Sequence, residues 1–182
     1  MPIPEPFALD YRIATAPEIR SWSFGQVSKL RVPPSAPLDD QVGTLRDQRI
    51  FGPITEYRCA CGQYEGSAND GMVCDRCGVK VTTTDARTTR FGHIEFSSGP
   101  VEHPFDPTVR MGCFPVIPAV YLESRAGTDL CSHYEQLLTG PVTLAALTAY
   151  LTPTVEHALQ WQTADADIFT RGVGLIRHSD AR

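Results

Sequence analysis

The chain has no apolar run approaching the ~18 residues that a bilayer-spanning helix needs, no surplus of positive charge, no internal repeat and no low-complexity tract. Each absence removes a class of protein. Without an apolar span, no membrane insertion is expected. With 16 lysines and arginines against 21 aspartates and glutamates, and a formal charge of −5, it lacks the basic face that marks a general nucleic-acid binder. The opening Met1-Pro2-Ile3-Pro4-Glu5-Pro6 has neither the basic start nor the apolar stretch of a secretory leader, so an intracellular, reducing setting is expected. What remains is a chain of 182 residues, 42% apolar, with 15 prolines and 14 glycines. That is enough to fold as one ordinary domain or two small ones, with many turns and short elements.

Cysteine is the informative residue type. Cys59-Ala60-Cys61-Gly62 and Cys74-Asp75-Arg76-Cys77-Gly78 form two close pairs, each followed by glycine. Two such pairs, separated by a loop, can set four sulfurs tetrahedrally around one structural zinc ion. Gly62 and Gly78 free the backbone to curl, so that the amides after each pair turn toward the sulfurs. The same spacing would also serve two disulfides, but a reducing setting favours the metal. The expected ligands are therefore Cys59, Cys61, Cys74 and Cys77, with one Zn²⁺. Cys113 and Cys131 stand alone and are expected as small buried apolar residues. His93 follows a four-thiolate set that is already complete, so it is expected to pack and hydrogen-bond. His133 and His157 have no matching ligand and receive no role.

Along the chain, residues 1–8 suggest a flexible tail, and the alternating Leu9–Ile13 a short strand. Ala16-Pro17-Glu18 opens a helix, with Glu18 near its positive end. Trp22 and Phe24 are expected in the core. Residues 32–44 suggest a surface loop, and Ile50-Phe51-Gly52-Pro53 leads into a metal module at 57–81. Val79–Thr84, dense in β-branched residues, suggests a strand, as does Phe91–Phe96. Residues 101–113 are expected to form a linker. Phe114–Pro118 is extended and apolar, and Thr128 or Asp129 caps a helix with Leu130, Tyr134, Leu137 and Leu138 on one face. Gly140-Pro141 ends it. Leu144, Leu147 and Leu151 suggest another helix, and Thr152-Pro153 opens a further one burying Val155, Leu159 and Trp161. Residues from Arg171 onward carry little signal.

The segments flanking the cysteines are more specific than the cysteines. Ile19-Arg20-Ser21-Trp22-Ser23-Phe24-Gly25-Gln26-Val27, Arg49-Ile50-Phe51-Gly52-Pro53, the metal module and Gly92-His93-Ile94-Glu95 occur in that order. Over residues 9–98 this resembles the N-terminal part of the β′ subunit of bacterial RNA polymerase. The resemblance implies a clamp base carrying a zinc-binding domain beside the RNA exit path. A second likeness joins Phe114–Pro118, Thr128-Asp129-Leu130 and Tyr134 to a later β′ segment that leads toward the catalytic barrel. In the family the lid, rudder and clamp coiled coil separate these regions, so the resemblance implies a relative with a large internal deletion.

The departures bear on function. The family's loop between the cysteine pairs carries lysines and arginines, whereas residues 62–73 hold Glu65, Asp70 and no base. Phosphate neutralisation needs cations, so weak or no direct nucleic-acid binding is expected. The turn at Pro17–Arg20 is one residue shorter than the family's. Nucleotide addition in the family uses three aspartates around Mg²⁺, and the nearest sequence here, Thr163-Ala164-Asp165-Ala166-Asp167-Ile168, has two and suggests a solvated surface. No catalytic residue is assigned.

The expected fold is a small, irregular α+β chain. A β′-like clamp base over 9–100, with a four-cysteine zinc ribbon, precedes a mainly helical region over 114–182. The expected function is transcription-associated, through contacts with RNA polymerase subunits or other transcription proteins in the cytoplasm, near the nucleoid. One alternative is a fragment of a split, catalytic β′ subunit. A free-standing zinc-ribbon DNA binder is the third.

Overall fold

The computed structural model describes residues 11–30, 32–33, 35–121, 128–159 and 165–177. The tail expected over 1–8 and the burial expected of Trp161 lie outside the described residues, as do the side chains of Thr128, Asp129, Leu130, Val155, His157 and Leu159.

Strand β1 (Tyr11–Ile13) leads into helix α1 (Ala16–Trp22). Glu18 sets that start: its carboxylate accepts from the Thr15 backbone N–H at 2.8 Å and pairs with Arg12 at 2.6 Å. The Arg12 guanidinium is the largest cause holding the Glu18 carboxyl down at about 2. Ile19 is buried in the core. Strand β2 (Ser23–Gln26), helices α2 (Leu38–Gln41), α3 (Gln48–Phe51) and α4 (Ala86–Thr89), and strand β3 (Phe91–Glu95) follow. Asp47 caps α3 by accepting from the Arg49 N–H at 3.0 Å and the Gly43 N–H at 2.8 Å.

The central sheet runs β2-β3-β6, where β6 is Cys113–Val116. Strands β2 and β3 pair in parallel, and β3 and β6 antiparallel with Ile94 opposite Phe114. All four β6 residues are buried, which explains an apolar run without alternation. Helices α5 (Thr128–Thr139), α6 (Leu144–Leu159) and α7 (Asp165–Gly172) complete the chain with strand β7 (Leu175–Arg177). Phe114 meets Tyr150 edge-on at 5.2 Å between centroids, and the Tyr150 hydroxyl donates to the Tyr134 hydroxyl at 3.3 Å. One apolar core therefore extends from Ile13 to Ile176.

The mixed α+β character matches expectation; several details differ. Residues 101–113, taken from sequence as a connector, form a hairpin of β4 (Val101–His103) and β5 (Asp106–Met111) before β6 begins. Pro100, Pro104 and Pro107 mask its strand signal, while Phe105 and Met111 give it a buried side. Val79–Thr84 is not a strand; it contributes a single bridge, Val73 to Lys80. Helix α6 runs through Pro153 instead of ending before it. Residues 172–177, expected to carry little signal, are well specified: Val173, Leu175 and Ile176 are buried, and β7 pairs antiparallel with β1.

Phe24 departs most. Expected in the core, it is 56% exposed. Along β2 the residues alternate, and Gly25 takes the inward position against Ile50, where a β-carbon would lie 2.9 Å from Ile50 Cγ1. That crowding leaves Phe24 facing out. Trp22, as expected, packs against the core.

Candidate metal centre

Residues 57–82 fold as two small hairpins with the same internal wiring. In the first, Arg58 bridges Glu65, the Cys59 N–H donates to the Tyr64 carbonyl at 3.1 Å, and the Gly62 N–H donates to the Cys59 carbonyl at 3.0 Å. In the second, Val73 bridges Lys80, the Cys74 N–H donates to the Val79 carbonyl at 3.0 Å, and the Gly78 N–H donates to the Cys74 carbonyl at 2.8 Å. Each turn closes through a glycine in the left-handed region, with φ +76° at Gly62 and +71° at Gly78. That conformation is costly for other residues. Tyr57 ties the hairpins together: its N–H donates to the Thr82 carbonyl at 3.0 Å and its carbonyl accepts from Gly66 at 2.9 Å.

This wiring gathers Cys59, Cys61, Cys74 and Cys77, whose sulfurs all lie within 4.8 Å of one another. The Cys59–Cys61 sulfur separation is 3.7 Å and Cys61–Cys74 is 3.6 Å. A tetrahedron with metal–sulfur bonds of ~2.3 Å has edges of ~3.8 Å, so these sulfurs already stand near the separations a single ion requires. All four are free cysteines. The residues present fit a metal ion.

Backbone amides prepare the sulfurs to carry charge. The Tyr64 N–H donates to Cys59 Sγ at 3.3 Å. Burial works to raise the Cys59 thiol, but the Tyr64 N–H and the Cys61 and Cys74 thiols bring it below its ordinary value. Burial likewise opposes ionisation of Cys77, yet N–H groups of Val79 and Cys61 and adjoining thiols lower it to about 7. At Cys61 the Gln63 N–H favours the thiolate, while burial and three neighbouring thiols hold the group at about 11. Thiolate is the ligating form, and metal binding displaces the remaining protons.

Cys59 and Cys74 are buried, and with Val79 and Val81 they form a small core separate from the main one. The module joins the rest of the chain beside α3. Gly78 lets the Arg49 side chain approach, since a β-carbon there would lie 3.1 Å from Arg49 Cδ. Arg49 is held by Asp47 through two hydrogen bonds of 3.0 and 2.7 Å. A cavity of about 570 Å³ opens between module and base, lined by Arg46, Arg49, Arg76, Cys61 and Cys77 among others.

The remaining sequence candidates fall elsewhere. His93 accepts or donates at 2.7 Å with Ser23 Oγ and lies 3.2 Å from Glu95, as a packing and hydrogen-bonding residue. Cys113 and Cys131 are buried, and burial is the main cause raising the Cys113 thiol to about 11. His133 stacks on Tyr150 at 5.1 Å. Asp167 is exposed and pairs with Arg177 at 3.2 Å. Among the described residues, the four cysteines are the sole cluster able to hold a metal, and no helix is long and apolar enough to cross a membrane. Sequence reasoning missed Phe24, whose ring lies under the Arg90 guanidinium at 4.6 Å.

Fold and site together define a small α+β protein built around a four-cysteine centre. Half of the chain is similar to proteins named "DNA-directed RNA polymerase subunit beta'". One from Lactobacillus delbrueckii subsp. bulgaricus is 48% identical over 91 residues, 50% of this chain and 7% of the relative. One from Sulfurihydrogenibium sp. is 47% identical over 96 residues, 53% of this chain and 6% of the relative. One from Leuconostoc mesenteroides subsp. mesenteroides is 44% identical over 96 residues, 53% of this chain and 8% of the relative. The chain thus spans less than a tenth of each of these relatives, and the β′ likeness read from its motifs holds over about half of it. No family model matches the chain.

Proposed function

We propose that this is a polymerase-derived zinc protein that acts in transcription through protein contacts and joins no nucleotides on its own. The observation that carries the reading is four sulfurs within 4.8 Å of one another in a chain 48% identical over 91 residues to a β′ subunit. An all-thiolate donor set suits zinc, and four sulfurs leave no open position, so the ion is structural. The two matching hairpins support reading the module as a zinc ribbon, which bound zinc would stabilise by on the order of 10 kcal/mol. Cys59, Cys61, Cys74 and Cys77 are its ligands.

The partners are RNA polymerase subunits, met in the cytoplasm near the nucleoid. A negative net charge and a base-free loop between the cysteine pairs support protein over nucleic acid. Engagement of the exposed Asp167 by Arg177 supports a surface role for Asp167.

The test has three parts on protein kept reduced throughout. Metal analysis should find one zinc per chain. Binding to the other polymerase subunits should be measurable, and the chain alone should not extend an RNA primer. Absence of zinc or extension by the lone chain overturns the reading. Stoichiometric co-purification with the rest of a divided β′ would instead make it part of a split catalytic subunit.

A further inference from the structure

Arg90 is an unusual cation. It is only 9% exposed, yet among the described residues no carboxylate or hydrogen-bond acceptor partners its guanidinium. Other arginines are provided for: Arg20 holds Glu95 at 2.7 Å, Arg49 holds Asp47, and the equally buried Arg87 donates to the Gly52 carbonyl. Arg90 has the Phe24 ring at 4.6 Å. Its guanidinium nitrogens still reach solvent, since among the described residues His103 Nε2 alone is a fully buried side-chain polar atom without a partner, and the Phe24 face adds a cation–π contact. Burial accordingly lowers the Arg90 pKa.

Phe24 itself is 56% exposed and lines a hollow of about 390 Å³, together with Val42, itself 40% exposed, and Ile50. An exposed aromatic ring and an exposed aliphatic side chain thus line one hollow, with the anion-free Arg90 guanidinium against that ring. We propose that this is a docking site for a partner protein segment in which an apolar side chain adjoins a carboxylate. The apolar group fills the hollow over Val42 and Phe24, and the carboxylate supplies the anion that Arg90 lacks.

Charge complementarity selects the occupant. A nucleic-acid strand would bring several phosphates to a molecule of formal charge −5. A single carboxylate balances a single guanidinium, and the aromatic and arginine pair is the usual composition of an interface anchor. The choice of a protein occupant rests on the reading above that the chain works through protein contacts. The site itself rests on geometry.

Two arms test it. In the first, fluorescently labelled short peptides carrying alternating leucine and aspartate are titrated onto the full chain. Matched peptides have asparagine for aspartate or serine for leucine. The acidic, apolar peptide should bind, both matched peptides should bind at least about tenfold more weakly, and Phe24→Ala should cost about as much. Val42→Ser is a second, surface-exposed variant, and circular dichroism confirms the fold of each. No binding, equal binding of the asparagine peptide, or unchanged binding by Phe24→Ala overturns the site. So does displacement of the peptide by single-stranded RNA with a steep salt dependence.

In the second arm the purified polymerase subunits replace the peptide. Failure of the unaltered chain to bind them overturns the proposed function. Binding that survives both Phe24→Ala and Val42→Ser overturns this inference alone.

Discussion

Gly172 and Ile117 approach so closely that a β-carbon on Gly172 would lie 2.1 Å from Ile117 Cγ2. The contact fixes the end of α7 against the residue just beyond β6, and a branched side chain there has little room to give. Gly172→Ala should destabilise the fold by about 1–3 kcal/mol through overpacking. Chemical denaturation at constant pH reads this directly, and Gly172→Ala unfolding at the same midpoint as the unaltered chain would contradict the packing.

Metal removal should act locally. The cysteines, Val79 and Val81 form a core of their own, apart from the one that runs from Ile13 to Ile176. A strong chelator, or Cys74→Ser, should abolish zinc binding and collapse hydrogen-exchange protection over residues 57–82. Protection in β3 and β6 should persist. Loss of protection throughout the chain would show that the two cores are energetically one.

Gly78→Ala tests the wiring of the second hairpin. At φ +71° an alanine costs about 1–2 kcal/mol, and its β-carbon would press on Arg49 Cδ at 3.1 Å. Zinc affinity in a chelator competition should fall by about tenfold or more, with all four thiols still present. Unchanged affinity would mean the hairpin reaches its geometry without the left-handed turn.

His103 should make the protein acid-sensitive. It is 1% exposed, its Nδ1 accepts from the Phe105 N–H at 3.2 Å, and its Nε2 has no hydrogen-bond partner among the described residues. Burial is the main cause that lowers its pKa from 6.5 to about 4. The folded value lies below the unfolded one, so the stability linked to neutral His103 is full above pH 6.5. It declines as the pH falls toward 4, by on the order of 3 kcal/mol. Unfolding free energies measured across that interval should drop more steeply for the native chain than for His103→Gln. Equal slopes would place the acid response on other groups.

Ending the chain after Gly140 should leave a remainder that aggregates instead of unfolding cooperatively. Such a cut removes Leu147, Tyr150, Leu151, Leu175 and Ile176 from the core and uncovers Phe114. A soluble remainder with a sharp denaturation transition would count against a covering role for the last helices.

Local patterns made part of this structure legible in the sequence. The four cysteines declared themselves by spacing, because the turns that unite them are short and each carries its own glycine. Helix α1 showed through Pro17 and Glu18, and β3 through Phe91, Ile94 and the adjoining Phe96. What escaped depends on distant neighbours. The exposure of Phe24 follows from Gly25 facing Ile50, a contact that nothing near Phe24 encodes. Strand β7 is three residues long and exists because β1 lies ready to pair with it. The β4–β5 hairpin hid behind prolines that usually mark loops, and Pro153 suggested a helix boundary where α6 continues.

The pairing of Tyr11–Ile13 with Leu175–Arg177 also governs how the protein is made. A nascent polypeptide emerging from the ribosome holds Tyr11–Ile13 unmatched until Leu175–Arg177 has been made. Contacts so distant in sequence form slowly, and incompletely paired edges are where newly made chains cross-associate. The β1–β7 pairing therefore waits on synthesis of Leu175–Arg177, and slower translation lengthens the interval during which a chaperone has something to hold.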